Sequence, residues 1–262
     1  MTWERLGAGL VLQQYRPTPL EDRLLRAEVL RASPVRQQTF NAGSSQATAV
    51  ILGDLAAPFT AYHKPLEGVD EGQAAGYGHD PRSAIINECA AWLMAKSLGS
   101  PYREMVPDVV VRSIWPSYSD AVGGFGTLSI EAPGSTNRPE PLQDPAECDP
   151  AAFFDALIAQ QDRHATNYRW QPGQLGLLDN AYSFAAPGYL AWASVFVEAR
   201  HGGGRSELDP AEIYALERLQ STQAEPIWMW LRMMLREDQV EALESRIARM
   251  VESGRLLQPG EF

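Results

Sequence analysis

Short runs rich in β-branched and aromatic residues at 35–40, 47–52 and 59–63 read as strands. Between the first two lies Asn41-Ala42-Gly43-Ser44-Ser45, small and polar enough for a hairpin turn. Upstream, Thr18-Pro19-Leu20-Glu21 has the cap and first-turn proline of a helix running to about Leu30. The third strand ends at Lys64-Pro65, and a glycine-rich loop from Gly68 to Gly78 follows. The plainest helix comes next: Asp80 caps it, Pro81 opens it and Gly99 stops it. Val109-Val110-Val111 and 127–131 read as further strands, while 133–150, rich in proline and acidic residues, reads as a linker.

From Ala151 onward the period is mostly helical, interrupted by one hairpin near Gly173. Ile227, Trp228, Trp230, Leu231, Met234 and Leu235 form one helical stripe. Val240, Leu243, Ile247, Met250 and Val251 form another, on a helix that Gly254 ends. Strands first and helices after predict an α+β protein with two lobes, a β-rich N-terminal one (1–132) and a mainly helical C-terminal one (151–262), joined through 133–150.

Composition narrows the partners. Against 33 acidic residues stand 22 basic ones, a net charge of −11. That excess argues against a nucleic-acid scaffold and against docking on anionic lipid, both of which need clustered cations. No run of 18 apolar residues occurs, and Met1-Thr2-Trp3-Glu4-Arg5 opens no signal segment. Cys89 and Cys148 are too few for a disulfide framework, so a cytoplasmic protein is expected. Only two of the basic residues are Lys, Lys64 and Lys96; the rest are Arg. A retained Lys is either a survivor of compositional bias or a place that needs a compact ammonium.

Glu88 supplies the first chemical clue. It falls three residues after Ile85 and four before Trp92, on the apolar stripe of its helix. Either it lies at the solvated edge of that stripe or it is buried and needs a cation, for which Lys64 is the nearest upstream candidate. Further on, Asp149-Pro150 reads as cap and first residue of a helix bearing Phe153, Phe154, Leu157 and Ile158. Asp162-Arg163-His164-Ala165-Thr166-Asn167 follows, then a hairpin through Pro172-Gly173 and an apolar strand closed by Asp179-Asn180. If the hairpin is symmetric about Gly173, Asn167 and Asp179 end opposite one another. An amide oxygen and a carboxylate so placed suit Mg²⁺. The spacing from Asp162 to Asn167 is that of a loop in which Asp aligns a hydroxyl and Asn binds metal.

In this order the parts resemble those of the atypical kinases related to phosphatidylinositol 3- and 4-kinases, and of bacterial proteins grouped with them. Asp162-Arg163-His164-Ala165-Thr166-Asn167 resembles their Asp-Arg-His-x-x-Asn loop, and Leu178-Asp179-Asn180 their metal-binding Asp. Ala61-Tyr62-His63-Lys64-Pro65 resembles the strand of the nucleotide lysine, 41–45 the phosphate loop, and Glu88 the helix glutamate. The resemblance implies a protein-kinase-like fold and ATP with Mg²⁺ as cofactors. It places Gly43, Ser44, Ser45, Lys64, Glu88 and Glu131 with the nucleotide, Asn167 and Asp179 on the metal, and Asp162 and His164 at the reaction. His164 either contacts phosphate or buttresses the loop, and Arg163 reads as a brace. Asp179-Asn180-Ala181 departs from the Asp-Phe-Gly common at this metal site in lipid kinases.

The stretch from Asn180 to Ala199 holds no Lys or Arg, although a phosphoinositide headgroup would want several. The expected activity is therefore transfer of the γ-phosphate of ATP to a hydroxyl of a protein or small molecule, without nucleic acid or membrane as partner. The alternatives are a kinase-like regulator that binds nucleotide without transfer, and an AMP transferase.

Overall fold

The structure, a computed structural model, describes residues 17–34, 47–53, 56–114, 124–131, 145–171, 173–186, 193–221, 225–258 and 261. Helix α1 (Pro19–Arg26) leads into strands β1 (Val29–Pro34), β2 (Thr48–Leu52) and β3 (Phe59–Pro65). A single 3₁₀ turn (Leu66–Gly68) and helices α2 (Glu71–Gly76), α3 (Pro81–Leu98) and α4 (Tyr102–Met105) follow, then β4 (Val109–Ile114) and β5 (Gly124–Ile130). After helix α5 (Pro145–Ile158) and the hairpin β6 (Tyr168–Gln171) and β7 (Gln174–Leu177) come α6 (Val195–Gly202), α7 (Pro210–Gln220), α8 (Glu225–Met234) and α9 (Glu237–Ser253). The protein is α+β, with one five-stranded sheet in the order β1-β2-β3-β5-β4 whose neighbours are all antiparallel.

Helix α1 has the expected start, with Thr18 and Glu21 in a capping box, but it ends earlier than the apolar pattern predicts. Arg112 Nη1 on β4 donates to the Leu24 and Ala27 carbonyls at 2.8 and 2.7 Å, satisfying end groups that a longer helix would have used itself. The chain from Val29 is thereby released to pair with β2. The strand expected at 35–40 and the turn at 41–45 lie outside the described residues.

Strand alternation on β4 divides the core. Val110 and Ile114 join Leu24, Val50, Leu52, Ala61 and Leu128 in one cluster. Val109, with Val111 packed beside it, joins a second and larger cluster. In that cluster α3, which packs against α8, contributes Ala90, Trp92 and Met94 to a core that also holds Phe153 and Phe154 of α5, Leu216 of α7, Leu231 of α8 and Leu243 and Ile247 of α9. Helix α3 therefore touches both the sheet and the helical half. Its ends fall where the sequence puts them, with Asp80 accepting from the Ser83 N–H at 2.9 Å and Gly99 as C-cap.

The expectation that Asp149-Pro150 starts a helix is corrected. Helix α5 begins at Pro145 and carries Pro150 inside it. The missing N–H costs a single bond near the helix start, and burial of Cys148 and of the 151–158 face against the helical core holds the turn. Asp149 is not a cap; its carboxylate pairs with Arg205 at 3.1 Å. Cys89 and Cys148 are both free and buried. Among the described residues no helix is long and apolar enough to cross a membrane.

Strand β5 runs close under the end of β3. A Cβ added to Gly126 would lie 2.1 Å from the Lys64 carbonyl oxygen and 2.8 Å from Pro65 Cα, backbone atoms with no freedom to yield. Gly126→Ala should therefore destabilise the fold by about 3 kcal/mol and push Lys64 out of register. Urea denaturation reads the first effect. A crystal structure of the folded variant reads the second.

Candidate functional site

Lys64 leaves β3 at the sheet centre, opposite Thr127 of β5. Its Nζ lies 2.5 Å from Glu88 Oε1 and 2.7 Å from Asp179 Oδ1. Of the alternatives open for Glu88, the buried and paired one holds, since the residue is 5% exposed. Side-chain exposure rises from 7% at Glu88 through 17% at Lys64 to 30% at Asp179, so the cluster opens to solvent on the Asp179 side. Burial alone would discharge the ammonium, yet Asp179 and Glu88 together raise it well above an ordinary lysine. Burial likewise opposes ionisation of Asp179, but Lys64 outweighs it and holds that carboxyl below the ordinary range.

Helix α3 grips the segment after β7 at several points. Glu88 Oε2 accepts the Asn180 N–H at 3.0 Å. Asn87, fully buried, donates to the Ala181 and Ser183 carbonyls at 2.9 and 2.8 Å. Asp179 itself has φ 54°, a left-handed conformation that Asp tolerates better than most residues at a cost of about 1 kcal/mol.

Arg163 is a brace. Its guanidinium donates to both Asp155 carboxylate oxygens, to the Asn167 carbonyl at 2.8 Å, to the Leu178 carbonyl and to Asn180 Oδ1 at 2.6 Å. Ser194 Oγ completes the Asp155 shell at 2.7 Å. The fork thus ties α5, the 162–167 loop and both ends of the hairpin together in a fully buried site. The hairpin register corrects the expected symmetry about Gly173. Tyr168 faces Leu177 and Gln171 faces Gln174, so the axis lies between residues 172 and 173. The partner of Asn167 is accordingly Leu178, whose N–H donates to the Asn167 carbonyl at 2.9 Å, and Asp179 lies one residue beyond.

Asn167 folds back on the loop. Its Nδ2 donates to the Asp162 carbonyl at 2.8 Å, with Asp162 Oδ2 at 3.5 Å and His164 Nε2 at 3.3 Å, leaving Oδ1 as the atom offered to a cation. Asp162 is half-buried, and desolvation pushes its carboxyl up; His164 lowers it and Asp179 raises it further. His164, half exposed, has Nε2 3.7 Å from Asp162 Oδ1 and Nδ1 against Thr166 at 3.0 Å. These contacts tie its ring to the loop while leaving it half exposed. Glu131 stands at a rim, accepting from Tyr62 at 2.9 Å and lying 3.5 Å from Arg169, without a bond to Lys64. Gly43, Ser44 and Ser45 lie outside the described residues.

Sequence reasoning missed Tyr77, whose hydroxyl donates to Asp162 Oδ1 at 3.2 Å, as well as Asp155 and Ser194. No spacing in the chain links these residues to the loop; only the fold does. Among the described residues no three His, Cys, Asp or Glu side chains gather as a dedicated metal site. The oxygen set nonetheless fits a hard cation completed by other ligands, because the Asp179 carboxylate is shared with only one ammonium, that of Lys64, and Asn167, with Oδ1 left over, is bonded to the neighbouring Asp162. No family model, curated protein or solved structure matches the chain.

Since Asp179 is held below its ordinary range, its ion pair stabilises the fold above the unfolded value of about 4 and is lost as pH falls through the folded one. Asp179→Asn, which keeps the left-handed backbone tolerable, should cost about 2 kcal/mol at pH 7. In urea denaturation the gap from wild type should narrow as pH falls below the unfolded value of about 4.

Proposed function

We propose that the protein is an ATP- and Mg²⁺-dependent phosphotransferase, kinase-like and two-lobed, that passes the γ-phosphate to a hydroxyl of a protein or small molecule. The observation that carries this reading is the Lys64 ammonium held between Glu88 and Asp179, beside a loop that brings Asp162 and Asn167 together. An ammonium between a deep carboxylate and a more exposed one is suited to gripping phosphate while the inner partner keeps it in place.

In this reading residues 1–132 form the nucleotide lobe, 133–150 the hinge region, already helical from Pro145, and 151–262 the second lobe of a cytoplasmic enzyme. Lys64 binds the phosphates and Glu88 fixes it. The resemblance assigns Gly43, Ser44 and Ser45, outside the described residues, and Glu131 to the nucleotide. Asn167 and Asp179 would hold Mg²⁺, which when bound neutralises charge on the phosphate oxygens. Asp162 aligns the acceptor hydroxyl and takes its proton, while His164 steadies the loop.

Incubation with γ-labelled and α-labelled ATP tests the reading. Transfer or release of the γ-label is expected, and Asp162→Asn should slow it about a hundredfold. Transfer of the α-label, or binding with no turnover, would overturn it. Because burial raises Asp162, the acid limb of the rate should lie above the ordinary Asp value of about 4, with activity lost as pH falls through it. Phosphoinositide vesicles should remain unlabelled, as expected from the lack of Lys and Arg between Asn180 and Ala199.

A further inference from the structure

Asp162 Oδ1 already accepts a hydrogen bond from a hydroxyl of the chain itself. Tyr77, just beyond the end of α2, donates at 3.2 Å. Its ring is held from the side, stacked on Tyr182 with centroids 4.5 Å apart. Its backbone is held as well, because the Tyr77 carbonyl accepts from Gln161 Nε2 at 3.1 Å, and Gln161 directly precedes Asp162. His79, two residues on, meets the same amide at 2.8 Å. The phenol is thus fixed against the loop by ring and main chain together, with its oxygen directed at the carboxylate assigned to the acceptor. Burial, reinforced by the Asp162 charge and more weakly by Asp179, pushes the Tyr77 hydroxyl up to about 12. It remains protonated at neutral pH, so its transfer chemistry needs a base, and Asp162 is the base it touches.

On the phosphotransferase reading above, we propose that Tyr77 is an acceptor of the protein's own phosphoryl transfer, modified within the same molecule. Tyr77 Oη forms a bond to the γ-phosphorus of ATP. The bond from that phosphorus to the β–γ bridging oxygen breaks, ADP leaves with the electron pair, and the phenol proton passes to Asp162. The product places a doubly charged phosphate beside Asp162 and near Asp179, where like-charge repulsion turns the ring away. Self-transfer is then a single event that clears the acceptor position for hydroxyls of other molecules.

The test is phosphopeptide mapping of the full chain after incubation with γ-labelled ATP and Mg²⁺, over a range of protein concentrations. Expected is one phosphate on Tyr77, formed at a fractional rate independent of protein concentration and about a hundredfold slower in Asp162→Asn. A second readout needs no nucleotide. In protein carrying ¹³Cζ-tyrosine, the resonance that Tyr77→Phe removes should shift in Asp162→Asn. ATP turnover, or label on another hydroxyl, with Tyr77 unmodified would overturn this proposal and leave the phosphotransferase standing. Absence of all γ-label turnover would overturn both. An unshifted Tyr77 resonance, or Tyr77 labelling that rises with protein concentration or is equal in Asp162→Asn, would overturn the intramolecular acceptor alone.

Discussion

A lysine ammonium with two carboxylates on it, one deep and one near the surface, is a demanding arrangement to fold. The three side chains come from segments 24 and 115 residues from Lys64 along the chain. Desolvating them costs several kcal/mol per ion unless every partner arrives. Deleting the cation would leave Glu88 and Asp179 facing each other, with a penalty of about 3–5 kcal/mol for uncompensated buried charge. The sheet register at Lys64, the exact pitch of α3 and the exit of β7 are therefore mutually constrained. An error in any one of them strands a charge.

A neighbouring buried charge system works differently. Arg163 uses its planar fork against Asp155, two backbone carbonyls and Asn180, so its donors are committed and the loop it braces is rigid. Lys64 is a point charge on a flexible stem, able to trade a carboxylate for another oxygen without losing its inner partner. A chain whose cations are nearly all Arg thus places Arg where the geometry is fixed and a Lys where partners can exchange. Asn180 links the two systems, its side-chain oxygen on Arg163 and its N–H on Glu88. That double use gives a structural role to the position where the resemblance led one to expect phenylalanine.

What the sequence made legible were features written locally. Asp80, Pro81 and Gly99 delimit α3 because caps act through neighbouring backbone, and Glu88 stood out because helical period puts it among Ile85, Cys89 and Trp92. The illegible parts depend on distant groups. Helix α1 stops short because Arg112 takes its last carbonyls, and α5 starts early because its buried face outweighs one proline. The hairpin axis was misplaced by half a residue, which is enough to exchange the partner of Asn167. Tyr77 reaches Asp162 across 85 positions and carries no motif.

The two oxygens of Glu88 explain how a site this small is coupled to the rest of the molecule. One holds Lys64 and the other holds the N–H after Asp179, so α3 senses the ammonium and the outer carboxylate segment at once. Any group that draws Lys64 away from Asp179 leaves that carboxylate in excess and lowers the cost of bringing a cation beside it. Anion and cation are therefore favoured together more than either alone, a coupling that follows from charge balance before any chemistry is assigned. Because α3 also packs against α8 and shares the larger core with α5, α7 and α9, its position is set by that core, and the inner carboxylate stays in place while the outer partners change.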